Sequence, residues 1–115
     1  MSTIKVNTIQ TTGGVEVYTA KAWVNFNGTG TVAIRQSGNV SSVTDNTTGD
    51  YTLSFTSAFV DDSYASSGTG GGTSRSYVLN KEPTAPPTAS SLRVRTIIPN
   101  VGLYDDANVN VVVTR

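Results

Sequence analysis

Residues 22–59, AWVNFNGTGTVAIRQSGNVSSVTDNTTGDYTLSFTSAF, decide the fold of this chain. Apolar and polar residues alternate at the start, so that Val24 and Phe26 share one face of an extended segment and Trp23 lies on the other. The Asn-Gly pair at 27–28 stands between two alternating runs, a pattern typical of a tight β-hairpin turn. The stretch therefore predicts consecutive antiparallel strands with no helix between them.

The same pattern of short β-branched runs and polar turns continues to the end of the chain. A six-residue polar loop is expected at 45–50, and surface loops are expected at the glycine-rich 66–73 and the proline-rich 81–90. Many short strands joined by turns predict an all-β fold, an antiparallel β-sandwich or barrel, of which we expect the sandwich. The predicted strands are 22–27, 31–35, 40–44, 51–55, 63–67, 74–79, 91–98 and 108–114.

The N-terminal residues form a separate unit in this interpretation, an arm over 1–20 that precedes a β-sandwich knob over 21–115. The arm alternates as a short two-stranded ribbon would, and such a ribbon is only marginally stable alone in water. It should therefore join the main sheet or dock against another chain. The candidate attachment residues on this arm are Ile4, Val6 and Ile9.

The composition excludes several classes of function. The 115 residues carry eight basic and eight acidic side chains, so the chain is neutral and lacks the basic excess typical of proteins that bind nucleic acid. It contains neither cysteine nor histidine, which excludes disulfides, thiolate metal sites and the commonest general base. No apolar run approaches the ~20 residues that span a bilayer. No signal peptide is recognised, so assembly is expected in a cytoplasm.

The acidic pairs at 61–62 and 105–106 are the strongest candidates for side-chain chemistry. Two close carboxylates can bind calcium or serve as an acid/base pair, but aspartate is equally typical of turns between strands. The loop at 45–50 lacks the spacing of an EF-hand, and no Lys-Ser/Thr follows the glycines at 68–72. A glycan hydrolase would need two carboxyl groups across a cleft, for which a domain of this size offers little room. We therefore expect no catalytic residue, no metal site and no cofactor.

Two further groups of residues have alternative interpretations. Arg93 and Arg95 share one face of a predicted strand, where they could form an anion or sugar-acid site, lie on a solvated face, or pair with aspartates across strands. Aromatic side chains could stack on a sugar ring or fill the core. The aromatic residues in question are Trp23, Tyr64, Tyr77 and Tyr104.

The outward faces of the predicted strands carry apolar residues that one small chain cannot cover by itself. Only 37% of the residues are apolar, and a chain of this length buries a limited fraction of its surface. Copies of the same chain could cover the outward apolar side chains. We therefore expect a homo-oligomer, with Trp23, Ile97 and Val112 as the candidate inter-chain contacts.

Residues 21–59 resemble a module found in tail fibres and other structural proteins of tailed bacteriophages, notably marine and cyanobacterial phages. The opening STIKVNTIQTTGG is similar to the short arm that precedes such modules. The resemblance implies a non-enzymatic component of the virion: a knob-like β-sandwich, usually trimeric, whose arm attaches to the particle and whose loops face the host.

Carried onto this chain, the resemblance implies a short tail fibre or receptor-binding protein, with a host glycan or protein as its partner. The alternative is a capsid cement or decoration protein, or a baseplate adaptor, that docks on other virion proteins through its arm. Neither alternative involves nucleic acid or insertion into a membrane. The candidate host-contact residues are Gly70, Gly71, Thr73, Tyr77, Thr84 and Pro86.

Overall fold

A computed structural model describes residues 20–71, 75–79 and 86–115 of the chain, and these residues form strands and connections without a helix. None of them belongs to a helix that is long and apolar enough to cross a membrane. The described residues form nine strands: β1 Ala20–Asn27, β2 Ala33–Gly38, β3 Val40–Thr47, β4 Asp50–Phe55, β5 Ala65–Gly71, β6 Arg75–Leu79, β7 Ser91–Ile98, β8 Gly102–Leu103 and β9 Val109–Thr114.

The strands form one antiparallel sheet in the order β2-β1-β9-β5-β6-β7-β4-β3, with β8 paired to β7. The two end strands, β2 and β3, follow each other in the sequence with Asn39 between them, so the sheet curls until its ends meet. Asn39 adopts a φ of 58°, a left-handed conformation that asparagine tolerates well. Its amide donates to the carbonyl oxygens of Lys21 and Ser57 at 3.2 and 3.1 Å. The result is a barrel-like sandwich that is nearly closed.

The inward face of the sheet forms one apolar core. Two aromatic clusters fill it: Phe26 meets Tyr51 edge-on with ring centroids 5.1 Å apart, while Phe55, Phe59 and Tyr64 pack together at 4.8 to 5.7 Å. Such ring pairs stabilise a core beyond the area that they bury. The buried apolar residues are Ala22, Val24, Phe26, Val40, Tyr51, Leu53, Phe55, Tyr64, Leu92, Val94, Val109, Val111 and Val113.

The prediction of an all-β antiparallel sandwich is confirmed, but the predicted six-residue loop at 45–50 is wrong. Strand β3 continues to Thr47 and β4 begins at Asp50, which leaves a two-residue turn. The amide of Asn46 donates to Asp50 Oδ1 at 3.2 Å and to Thr52 Oγ1 at 2.8 Å. These cross-strand bonds extend the hairpin beyond its apolar part.

The expectation of a flexible loop at 66–73 is wrong for residues 66–71, which belong to β5. The candidate host-contact residues Gly70 and Gly71 therefore lie in a strand, where Gly70 pairs with Val109 of β9. This glycine-rich strand has few side chains to pack, and its backbone pairing with β9 over six positions keeps it in the sheet. Among the other candidates, Pro86 is exposed in a connection. The arm residues Ile4, Val6 and Ile9 lie outside the described residues, as do Thr73 and Thr84.

Candidate functional site

The outward side chains of seven strands line up across the sheet, and we call this surface the outer face. The strand register places Trp23 beside Val112, two of the three candidate inter-chain residues. Ile97 lies on the same face but three strands away from Val112. One continuous row of the outer face runs through Gln36, Asn25, Asn110, Thr69, Tyr77, Ile97 and Leu103.

A groove of about 330 Å³ opens on the outer face above β1, β9 and β5. We call it the Trp23 groove, and its outward lining consists of Trp23, Asn25, Ser67, Thr69, Asn110 and Val112. Trp23 is 41% exposed and Val112 is 37% exposed, so both present apolar surface to solvent. The groove therefore combines an aromatic and aliphatic side with hydroxyl and amide groups.

Gly38 of β2 makes room for the Trp23 indole. A Cβ atom at position 38 would lie 2.3 Å from the indole Nε1, a distance that no real contact allows. The side chain of Trp23 therefore covers the bare backbone of its neighbour in the sheet. This packing holds the indole in one place beside the groove, and it explains why the outward strand position opposite Trp23 is a glycine.

A chain of hydrogen bonds fixes the orientation of the amides beside the groove. Arg35 Nη1 can only donate, and it lies 3.3 Å from Asn25 Oδ1, which fixes that oxygen as an acceptor. The Asn25 amide nitrogen then donates to Asn108 Oδ1 at 2.8 Å and to Asn110 Oδ1 at 2.5 Å. The amide nitrogen of Asn110 consequently points toward Thr69, whose Oγ1 lies 3.5 Å away. The groove thus presents an oriented N–H donor next to a hydroxyl group.

A second exposed part of the outer face continues the row beyond Thr69, and we call it the Tyr77 patch. It consists of Tyr77, Ile97 and Leu103, which are cross-strand neighbours in β6, β7 and β8. Tyr77, a candidate host-contact residue, is 65% exposed, and Leu103 is also exposed. The Tyr77 patch is more apolar than the Trp23 groove, which it adjoins through the pairing of Tyr77 with Thr69.

Arg93 and Arg95 form ion pairs across strands, one of the interpretations left open by the sequence. The partner is Asp50 of β4, which is only 2% exposed although it lies on the outer face. Arg93 binds it with two bonds of 2.7 and 2.6 Å, and Arg95 Nε lies at 3.5 Å. The hydrogen bond from Arg93 holds the pKa of Asp50 below its ordinary value, against the opposing effect of burial.

Replacing Asp50 with asparagine should destabilise the chain at neutral pH by about 1–3 kcal/mol, because two half-buried arginines lose the Asp50 carboxylate. Since the folded-state pKa is lowered, the stabilisation is fully present above the unfolded value near 3.8 and is lost as the pH falls through the folded value. The difference between wild type and Asp50→Asn, measured by urea unfolding at several pH values, should therefore shrink below about pH 3.8.

The matched control for this prediction is Asp62→Asn, at an exposed aspartate between strands. It should change the free energy of unfolding by less than about 0.5 kcal/mol at any pH. A difference between wild type and Asp50→Asn that stayed constant from pH 7 to pH 2 would contradict the ion-pair account.

The two aspartate pairs lie in connections between strands, where Asp61 and Asp105 bind groups that are distant in the sequence. Asp61 accepts two bonds from Arg115, at 3.0 and 2.8 Å. Asp105 Oδ1 accepts from the backbone N–H of Gly49 at 2.7 Å and lies 2.9 Å from the hydroxyl of Tyr51. Burial, together with this contact, raises the pKa of Tyr51. Among the described residues, no group of three or more acidic side chains is close enough to hold a metal ion.

The aromatic candidates divide between core and surface. Tyr64 is buried, its hydroxyl lies 2.9 Å from the carbonyl oxygen of Thr88, and burial raises its pKa to about 12. Tyr104 is half-buried, while Trp23 and Tyr77 are exposed. In the part of the chain that the structure describes, only these last two have enough open surface to stack on a ligand from solvent.

A smaller groove of about 260 Å³ lies at one end of the sandwich, away from the outer face. Its lining includes Phe59, the exposed Val60, and the cationic Lys21 and Arg115. Arg115 is already bound to Asp61 at the rim. Sequence analysis did not identify this groove, because Lys21 and Arg115 come together only when β1 and β9 pair.

Comparison with protein-family models, characterised proteins and solved structures finds no match to this chain.

Proposed function

We propose that this chain is a non-enzymatic structural protein of a tailed-bacteriophage particle, most specifically a short tail fibre or receptor-binding protein. In this role, copies of the sandwich associate, as a trimer in the resemblance given above, and contact the host surface. The resemblance of residues 21–59 to phage fibre modules supports the proposal. The division of the sheet into a buried inward face and an outer face with exposed aromatic side chains supports it independently.

The outer face is the observation that carries the proposal. Exposed apolar patches rimmed by polar residues mark surfaces that bind other molecules. The outer face has two such regions, the Trp23 groove and the Tyr77 patch, which adjoin along one row where Thr69 pairs with Tyr77. A fibre protein needs two kinds of contact, one with its own copies and one with the host.

The Tyr77 patch suits the contact between copies. Tyr77, Ile97 and Leu103 are apolar neighbours without an intervening charge along the row, and tyrosine is enriched at protein interfaces. Ile97 is also one of the three inter-chain residues expected from the sequence. Association of copies would multiply weak host contacts into stable attachment, because the second contact then forms at high effective concentration.

The proposal is tested by adsorption of phage particles to their host. Purified chain, added to host cells before the particles, should bind the cells and lower the adsorption rate in proportion to the sites occupied. A chain that binds no host cells and leaves adsorption unchanged would contradict the receptor-binding role. If the same chain were nevertheless found in purified particles, the cement or adaptor alternative would replace it.

A further inference from the structure

We propose that the Trp23 groove binds a neutral saccharide, and that this saccharide belongs to the host-surface glycan contacted by the particle. The inference rests on the proposed function and adds to it a site and a class of ligand. It assigns Trp23 and Val112 to ligand binding, and it leaves contact between copies to the Tyr77 patch.

The groove matches the two kinds of surface that a sugar ring presents. A pyranose has C–H groups on its faces and hydroxyl groups around its edge. Trp23 and Val112 supply the apolar contact, and an indole offers a large, rigid surface for it. Ser67, Thr69 and Asn110 supply hydroxyl and amide groups along the other side of the groove.

The hydrogen-bond chain gives the groove a defined polarity. The bond from Arg35 fixes the orientation of the Asn25 amide, and the bond from Asn25 fixes that of the Asn110 amide. The amide nitrogen of Asn110 therefore faces the groove. That nitrogen has two hydrogens, and on the groove side it makes a long 3.5 Å approach to Thr69. It can therefore donate to a ligand hydroxyl oxygen. Polar groups that are already oriented need little reorganisation when a ligand binds.

The uncharged lining of the groove favours a neutral ligand. Among the described residues that line it, none is charged. Arg35 lies behind Asn25, where its guanidinium is engaged by Asn25 Oδ1 and the carbonyl oxygen of Ala107. An acidic sugar would find no counter-charge in the groove. The volume of about 330 Å³ is at the small end of ligand sites, which suits one or two sugar rings of a longer glycan.

The position of the groove in the sheet also favours a binding site. Its residues come from β1, β9 and β5, which are neighbours in the sheet, and sites on strands are held more precisely than sites on loops. On one side the indole packs against the backbone of Gly38, where a side chain would leave no room for it. A ligand would therefore meet a preformed surface.

The test uses the fact that Trp23 is the only tryptophan of the chain, so that its fluorescence reports on this groove alone. The full chain is titrated with maltohexaose, cellohexaose and the neutral polysaccharide fraction extracted from the host surface. At least one of these should shift the emission saturably and protect Trp23 from acrylamide quenching. Polygalacturonate, an acidic polymer, should do neither.

Two variants locate the effect. Asn110→Ala removes the oriented donor and should weaken binding roughly tenfold, the equivalent of one lost hydrogen bond. Val60→Ala alters an exposed side chain of the other groove and should leave the affinity unchanged. Circular dichroism of both variants confirms that they are folded. Equal affinities for the two variants would contradict the assignment of the donor.

The remaining outcomes separate this inference from the proposed function. An unchanged Trp23 emission with every neutral probe, in a chain that still blocks adsorption, overturns the saccharide site alone. An emission that changes with chain concentration, and an oligomer that Trp23→Ala dissociates, also overturn it, because a second copy then occupies the groove. If the chain binds saccharide but neither binds host cells nor blocks adsorption, the saccharide site is supported and the proposed function is overturned.

Discussion

Phe26→Ala should lower the free energy of unfolding by about 3–5 kcal/mol, the typical cost of emptying a phenylalanine site in a packed core. Phe26 lies on β1 between β2 and β9, is fully buried, and meets the ring of Tyr51 edge-on at 5.1 Å. Its removal takes away both the buried area and that ring contact. Urea unfolding followed by circular dichroism measures the change.

Trp23→Ala is the matched control because it removes a larger aromatic side chain from the same strand. Trp23 points to the outer face and is 41% exposed, so its removal should cost about 1 kcal/mol or less. The two variants together measure which face of β1 stabilises the fold. Equal destabilisation by both would show that the outward face also carries core packing, which would contradict this structure.

Gly49→Ala should destabilise the chain by at least about 3 kcal/mol, since two costs combine at this position. The backbone of Gly49 has a φ of 64°, which side chains other than asparagine and aspartate rarely adopt. An added Cβ would also lie 2.6 Å from the backbone nitrogen of Tyr104 and 2.7 Å from the carbonyl oxygen of Thr96. These are backbone atoms, so the clash can be relieved only by moving a strand. Urea unfolding measures the loss.

Gly30→Ala separates the two costs. Gly30 has nearly the same φ, 58°, but a Cβ there would meet nothing within 4 Å. Gly30→Ala should therefore lower the free energy of unfolding only by the cost of a left-handed backbone at alanine, about 1 kcal/mol. The excess of Gly49→Ala over Gly30→Ala measures the clash with β7 and the connection to β9. If the two substitutions proved equal, the close approach at Gly49 would be refuted.

The alternating pattern of the sequence predicted most of the strands, because side-chain alternation is a local property that each segment carries by itself. Val24 and Phe26 were correctly placed inward and Trp23 outward. Strand limits were predicted less well. Cross-strand bonds of Asn46 extend one hairpin beyond its predicted limits. The glycine-rich segment forms strand β5 because it pairs with β9, which no local propensity indicates.

The candidate site was only partly predictable, because it depends on which strands become neighbours. Trp23 and Val112 are 89 positions apart in the sequence, from 23 to 112, and the sequence gives no direct signal that they meet. The same is true of Thr69, which faces Asn110 across β5 and β9. The pairing of Arg93 and Arg95 with Asp50 was missed for a related reason, since Asp50 was assigned to a loop. Its proximity follows only from the pairing of β4 with β7.

The central claim is that the inward face of the sheet maintains the fold while the outer face contacts the host. Adsorption competition with wild type and Trp23→Ala at equal concentration tests it most directly, once both are shown to be folded. The account predicts that wild-type chain lowers the adsorption of particles to host cells and that Trp23→Ala has lost most of this effect. Equal inhibition by the two chains would contradict it.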